Sequence, residues 1–93
     1  TISSVADNFT LSQNYPNPFN PSTKITYSLP KSGNVSLKVY NELGKEVNTL
    51  VSAFKNAGTY EVTFNAEALT SGIYFYSLKA DGFTNTKKML LIK

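Results

Sequence analysis

The 93-residue sequence contains no cysteine, no histidine and no tryptophan, and because its nine cationic residues are all lysine it contains no arginine either. Each absence removes a class of chemistry. Without cysteine there is no disulfide framework, and without cysteine and histidine the ordinary zinc sites are excluded. Acid and base work would fall to Asp7, Glu42, Glu46, Glu61, Glu67 and Asp81, none of which is paired at a telling spacing, so we expect no enzyme. No glycine-rich phosphate loop and no Asp-x-Asp-x-Asp run occurs, and no cofactor or metal is expected. The net charge of +3 comes from scattered lysines without arginine's bidentate fork, which argues against nucleic acid as a partner. No apolar run is long enough to span a bilayer as a helix, and no charged-then-apolar leader precedes a cleavage site.

What is present suits one globular domain. Hydrophobic residues make up 41% of the chain and charged residues only 16%, which favours a core over disorder. The aromatic residues, 13% of the chain, are all Tyr and Phe, which sit well on pleated sheets. The chain begins at Thr1 rather than methionine and reads as a piece of something longer. Residues 1–8, polar and small with Ile2 and Val5 as their anchors, are expected to be a linker from an upstream domain, and residues 9–93 the domain itself.

The most unusual stretch is Asn14-Tyr15-Pro16-Asn17-Pro18-Phe19-Asn20-Pro21, which holds three of the four prolines and two large aromatics in eight positions. Each proline fixes its own φ and keeps the preceding residue out of the helical region, so the stretch must be a stiff, kinked ribbon. With few free backbone donors it cannot occupy the middle of a sheet, yet Tyr15 and Phe19 call for burial. We therefore expect a rigid crossover that lies over a core and pins its ends with these aromatics. As a recognition surface it is a weaker candidate, because a proline-rich ligand does not usually bring its own aromatics.

Around the ribbon the pattern is that of strands. Phe9-Thr10-Leu11 can add a short edge strand. Ile25, Tyr27 and Leu29 alternate with polar residues up to Pro30, and Val35, Leu37 and Val39 alternate again after Lys31-Ser32-Gly33-Asn34, so these two runs are expected to form a hairpin. Glu46 to Ser52 also fits a helix face, but Gly44 stands where a short hairpin loop needs positive φ, and strand is preferred. Tyr60, Val62 and Phe64 form a further strand. Residues 65–71 are a connection with room for one helical turn. Ile73 to Leu78 is apolar on both faces and belongs at a sheet centre with cover on each side. Asp81-Gly82 marks a last hairpin, and the strand after it ends in Lys87-Lys88-Met89-Leu90-Leu91-Ile92-Lys93. About seven short strands at these intervals predict an all-β, immunoglobulin-like antiparallel sandwich, with the lysine-bearing last strand at an edge. Ala57-Gly58-Thr59-Tyr60 and Ser71-Gly72-Ile73-Tyr74 share one pattern, read as two similar strand beginnings with glycine for the turn and tyrosine for the core. Exposed tyrosine faces could stack on a sugar, but the alternation turns most tyrosines inward, leaving Tyr40 and one face around Tyr74 to Tyr76 as exceptions.

The ribbon with Leu11-Ser12-Gln13 before it, then Ile25-Thr26-Tyr27-Ser28-Leu29-Pro30, Val39 to Val47, the two Gly-x-Tyr motifs and the closing lysine-flanked run together closely resemble the type A C-terminal sorting domain of the type IX secretion system. The resemblance covers residues 9–93; the ribbon alone is shared with the immunoglobulin-like domain of flagellar hook-capping proteins. It implies a β-sandwich at the end of a secreted protein of a Bacteroidota-like bacterium. Such a domain is an address: the cargo upstream in the same chain reaches the periplasm, the domain directs it through the outer-membrane translocon, and a sortase-like peptidase removes the domain and attaches the cargo to the cell surface. On the family pattern, Asn14 to Pro21, Gly58, Tyr60, Gly72 and Tyr74 would shape the fold, Lys87, Lys88, Met89, Leu90, Leu91, Ile92 and Lys93 would carry translocon recognition, and cleavage would fall in or near residues 1–8.

On physical grounds a basic pair leading into an apolar terminal edge strand suits strand addition or landing on an acidic partner. The same lysines equally suit gatekeepers that keep the edge from aggregating. The rival from another class is a structural adhesion or assembly module that self-associates through its edge strands into oligomers or fibres.

Overall fold

Alternation with a period of two decides the architecture, because it gives each strand one apolar face that must be covered by another layer. The computed structural model describes residues 8–93, and these form seven strands: β1 (Thr10–Leu11), β2 (Ser22–Leu29), β3 (Gly33–Tyr40), β4 (Glu46–Lys55), β5 (Gly58–Asn65), β6 (Gly72–Ala80) and β7 (Phe83–Leu91). They make two antiparallel sheets, ordered β1-β2-β5 and β4-β3-β6-β7, the expected immunoglobulin-like sandwich. The linker reading of residues 1–8 falls, apart from Asn8, outside the described residues.

The core lies between the sheets. β2 contributes Ile25, Tyr27 and Leu29, β3 contributes Val35, Leu37 and Val39, β6 contributes Tyr74, Tyr76 and Leu78, and β7 contributes Met89 and Leu91, all buried. Each large side chain removed from water stabilises the fold by roughly 1.5–3 kcal/mol before entropy is counted. The ambiguous stretch after Gly44 is strand β4, and its two register irregularities against β3 let Val47, Leu50 and Val51 all turn toward the core, which mimics helical spacing in the sequence. Residues 66–69 hold a hydrogen-bonded turn, the Leu69 amide donating to the Ala66 carbonyl at 2.9 Å, in place of a helical turn.

Two expectations need correction. β2 and β3 do not pair: β2 lies between β1 and β5, and β3 between β4 and β6, so Pro30 to Ser32 carries the chain from one sheet to the other. Pro30 has no amide to give a hairpin ladder, and both strands have an apolar face that is buried better by stacking across the core than by pairing side by side. β6 is interior as expected, but no layer covers its outer face among the described residues; Ile73 and Phe75 there are half-buried beside neighbouring side chains.

The two Gly-x-Tyr motifs have the same local geometry. Gly58 and Gly72 open β5 and β6 with φ of +149° and +153°, where residues with a side chain rarely go. Two residues on, Tyr60 donates its hydroxyl to the Asn56 carbonyl at 2.6 Å and Tyr74 donates to the Thr70 carbonyl at 2.7 Å. Each tyrosine thus ties its strand to the loop that precedes it, one in each sheet.

Candidate functional site

The ribbon and the terminal strand, 70 or so positions apart in sequence, meet at one side of the sandwich. Tyr15 bridges antiparallel to Lys24 of β2, and Phe19 bridges parallel to Leu91 of β7, so the ribbon starts alongside the three-stranded sheet and ends alongside the four-stranded one. Its three X-Pro bonds are cis. The chain changes sheet within five residues because proline supplies the kinks and withholds the amides that would commit it to either ladder.

The burial expectation holds for one aromatic and fails for the other. Phe19 is 2% exposed and packs against Phe64 with ring centroids 6.1 Å apart, whereas Tyr15 is 80% exposed. The ribbon's first end is instead anchored by Asn14, which is 2% exposed. Its Nδ2 donates to the Pro16 carbonyl at 3.1 Å and to Thr23 Oγ1 at 3.0 Å, the Thr23 hydroxyl donates to the same Pro16 carbonyl at 2.8 Å, and Gln13 Nε2 donates to Asn14 Oδ1 at 2.7 Å. A small amide with every polar atom bonded is a stronger anchor here than a phenol ring, because the ribbon's own unpaired carbonyls need donors. Pro16, Asn17, Pro18 and Asn20 are exposed and Pro21 is half-buried.

Tyr76 of β6 supports this anchor from across the core. Its hydroxyl donates to the Ser12 carbonyl at 2.6 Å and accepts from the Asn14 amide at 2.7 Å, and burial pushes its pKa up to about 12 against the opposing effect of that amide. Thr23 was not singled out from the sequence, Gln13 entered only with the resemblance, and Tyr76, grouped with the exceptions to inward alternation, is 0% exposed. The available signal was that a tyrosine in a strand apolar on both faces needs a partner for its hydroxyl; which partner it finds is a long-range matter.

At the other end the ribbon is clasped to the terminal strand. The Phe19 amide donates to the Leu90 carbonyl and the Ile92 amide to the Phe19 carbonyl, each at 3.0 Å. The Leu90 amide donates to Asn17 Oδ1 at 3.0 Å, and Gln13 Nε2 donates to the Lys88 carbonyl at 2.7 Å. The last residue is held as well, its amide by Ser71 Oγ at 2.9 Å and its Nζ by the Glu67 carbonyl. The outer edge of β7 is therefore occupied from Lys88 to Ile92. Alternation in an antiparallel ladder turns the main-chain groups of Thr84 and Thr86 to the same edge, beyond the ribbon's reach.

The pleat divides the seven terminal residues between two environments. Met89 and Leu91 point into the core opposite Tyr74 and Gly72, and Lys87 is half-buried opposite Tyr76. Lys88 and Leu90 lie on the outer face, opposite Phe75 and Ile73, and Leu90 and Ile92 are 37% and 50% exposed. Gly72 and Tyr74 are thus joined to the terminal strand, while Gly58 and Tyr60 belong to the other sheet. Among the described residues no group of three or more acidic side chains could hold a metal ion.

Comparison with known proteins bears on this geometry. The chain matches the family model of the secretion system C-terminal sorting domain over residues 13–93, from Gln13 of the clasp to the last residue. Among solved structures it resembles dimeric latent PorU from Porphyromonas gingivalis, with a TM-score of 0.68, 17% identity and 98% of this chain covered. It also resembles PorZ, an essential surface component of the type IX secretion system of the same organism, with a TM-score of 0.58, 20% identity and 94% covered. This chain spans about a tenth of each, 10% and 12% respectively, and at these identities the likeness is one of fold. No curated protein matches the sequence. With the family model covering nearly all of the sandwich, ribbon and terminal strand included, the chain belongs to the type IX secretion system C-terminal sorting domains.

Proposed function

We propose that this domain is a noncatalytic address read from its terminal strand and the ribbon clasped to it. Membership of the family makes the chain a type IX secretion signal carried by a cargo destined for the cell surface or exterior. The observation that carries the finer reading is the clasp: the residues the resemblance assigns to recognition, Lys87 to Lys93, are held in fixed register by four hydrogen bonds to the ribbon and Gln13. A signal that is read after folding needs such a fixed surface.

In this reading the partners are the outer-membrane translocon and a sortase-like peptidase, the cargo lies upstream in the same chain, and the route runs through the periplasm. Cleavage falls in or near residues 1–8, upstream of the ribbon. The absence of a disulfide-forming residue leaves the fold indifferent to the redox state along that route. Self-association through edge strands is disfavoured at two edges, since β4 carries two register irregularities and β7 is occupied from Lys88 to Ile92.

The test is to fuse residues 1–93 behind a periplasm-directed fluorescent protein and compare a type IX-competent bacterium with a strain lacking its translocon. Surface or extracellular fluorescence in the first alone is expected, and its loss when Met89 to Lys93 is deleted. Retention in the periplasm of both strains would refute the address.

A further inference from the structure

We propose that the outer face of the four-stranded sheet at its β6–β7 corner docks a protein surface that presents acidic side chains around an aliphatic centre. The inference rests on the sorting reading and specifies which surface of the terminal strand is read.

Three surfaces of that strand could be read, and two are taken. Its inner face is core, with Met89 1% and Leu91 0% exposed. Its edge is filled by Phe19, Asn17 and Gln13 over the terminal residues, so strand addition there would first have to displace the ribbon. The outer face remains. Register places Leu90 beside Ile73 and Lys88 beside Phe75, with Tyr40 of β3 on Phe75's other flank. A hollow of about 150 Å³ opens between Asn17, Ile73, Lys88 and Leu90, large enough for an aliphatic side chain.

Charge supplies the second half of the argument. The ion pairs among the described residues are Lys24–Glu61, Lys31–Asp81 and Lys38–Glu46. Lys38 and Glu46 close the far side of this same face, where the Thr49 hydroxyl, 2.7 Å away, and then Lys38 hold the Glu46 carboxyl below its usual range. Lys79 and Lys88, exposed on β6 and β7 of the face, have no carboxylate of the described residues within 4.0 Å. Two unneutralised cations flanking a half-exposed apolar strip attract and orient an acidic-rimmed partner and give it area to bury.

The experiment uses the same fusion in the type IX-competent strain, with Lys88→Glu combined with Leu90→Asp on this face and Lys24→Glu combined with Thr63→Asp on the outer face of the other sheet. Both pairs change exposed side chains and leave the main-chain clasp intact. We expect the first pair to lower surface delivery about tenfold or more, as loss of central anchor residues does, and the second to deliver like the parent. Lys88→Arg should also deliver like the parent. Thermal melting of the purified variants separates docking from folding, and Lys88→Glu alone provides the charge test if the double variant melts early. Equal delivery by both faces' variants overturns the docking face while leaving the sorting reading standing. Failure of the unaltered fusion to be delivered removes both.

Discussion

The two outer faces of the sandwich are built from the same strand geometry and carry opposite chemistry. On the three-stranded sheet, Ser22, Lys24, Thr26 and Ser28 of β2 face Asn65, Thr63, Glu61 and Thr59 of β5, so the surface is a ladder of hydroxyls and amides. Its charges are matched, with Lys24 and Glu61 3.7 Å apart, and Ser28 and Thr59 share a hydrogen bond of 3.0 Å. On the four-stranded sheet the β6–β7 corner carries Ile73, Phe75 and Leu90, with Lys79 and Lys88 unmatched among the described residues. A face whose charges are matched exerts little pull on a charged partner; a face with an apolar strip and uncompensated charge gains free energy when an acidic-rimmed partner covers it. In the docking proposal, the terminal strand is read on one side only and the ribbon holds that side in place.

The β7 face is most vulnerable from beneath. Phe19→Ala removes the ring that seats the ribbon against the core, and a loss of about 3–5 kcal/mol in urea unfolding is expected, with the β7 face losing its support. Tyr76→Phe strips the Ser12 carbonyl of its donor and the buried Asn14 amide of its acceptor, which should cost about 1–3 kcal/mol in the same assay. The Tyr76 pKa in the folded state lies above the ordinary value of 10, so its contribution is complete below pH 10 and is lost as pH rises toward about 12. Urea midpoints should therefore fall between pH 10 and pH 12 in the parent. They should fall less steeply in Tyr76→Phe, where Tyr27, its pKa also raised by burial and then by Tyr60, accounts for what remains.

Smaller changes sharpen the contrast. Gly72→Ala meets no atom within 4 Å, so the roughly 1 kcal/mol it is expected to cost comes from the backbone at φ +153° alone. Gly33→Ala, which has the same open space without positive φ, should change stability by less than about 0.5 kcal/mol. Smallest of all, a double-mutant cycle on Lys24 and Glu61 should return about 0.2–1 kcal/mol, since both side chains are more than half exposed. Lys88→Gln should cost no coupling energy of that kind, because no carboxylate of the described residues pairs with Lys88.

Much of this was legible from residue spacing. The alternation in Ile25-Thr26-Tyr27 or Tyr60 to Phe64 is a local consequence of the pleat, and it marks strands without reference to the rest of the chain. Which sheet a strand joins is not local: nothing in Lys31 to Asn34 distinguishes a hairpin from a crossing, and only the missing amide of Pro30 hinted at the outcome. The ribbon's stiffness follows from its prolines, but the choice of Asn14 over Tyr15 as anchor depends on Thr23 and Tyr76, nine and 62 residues away. The clasp at Gln13 and Asn17 spans 75 and 73 residues. The parity of the terminal strand lay closer to hand, since Met89 and Leu91 in the core imply Lys88 and Leu90 outside, once either one is placed.

In the proposal the ribbon seals the edge of the terminal strand over residues 88–92, and the strand is read from its outer face. Residue-resolved amide hydrogen exchange tests it within one molecule. Phe19, Leu90 and Ile92 should exchange with protection approaching that of Leu37 in the core, whereas Thr84 and Thr86, on the part of the same edge that no described residue bonds, should exchange freely. Fast exchange at Phe19, Leu90 and Ile92, indistinguishable from Thr84 and Thr86, would mean an open edge and would contradict the account.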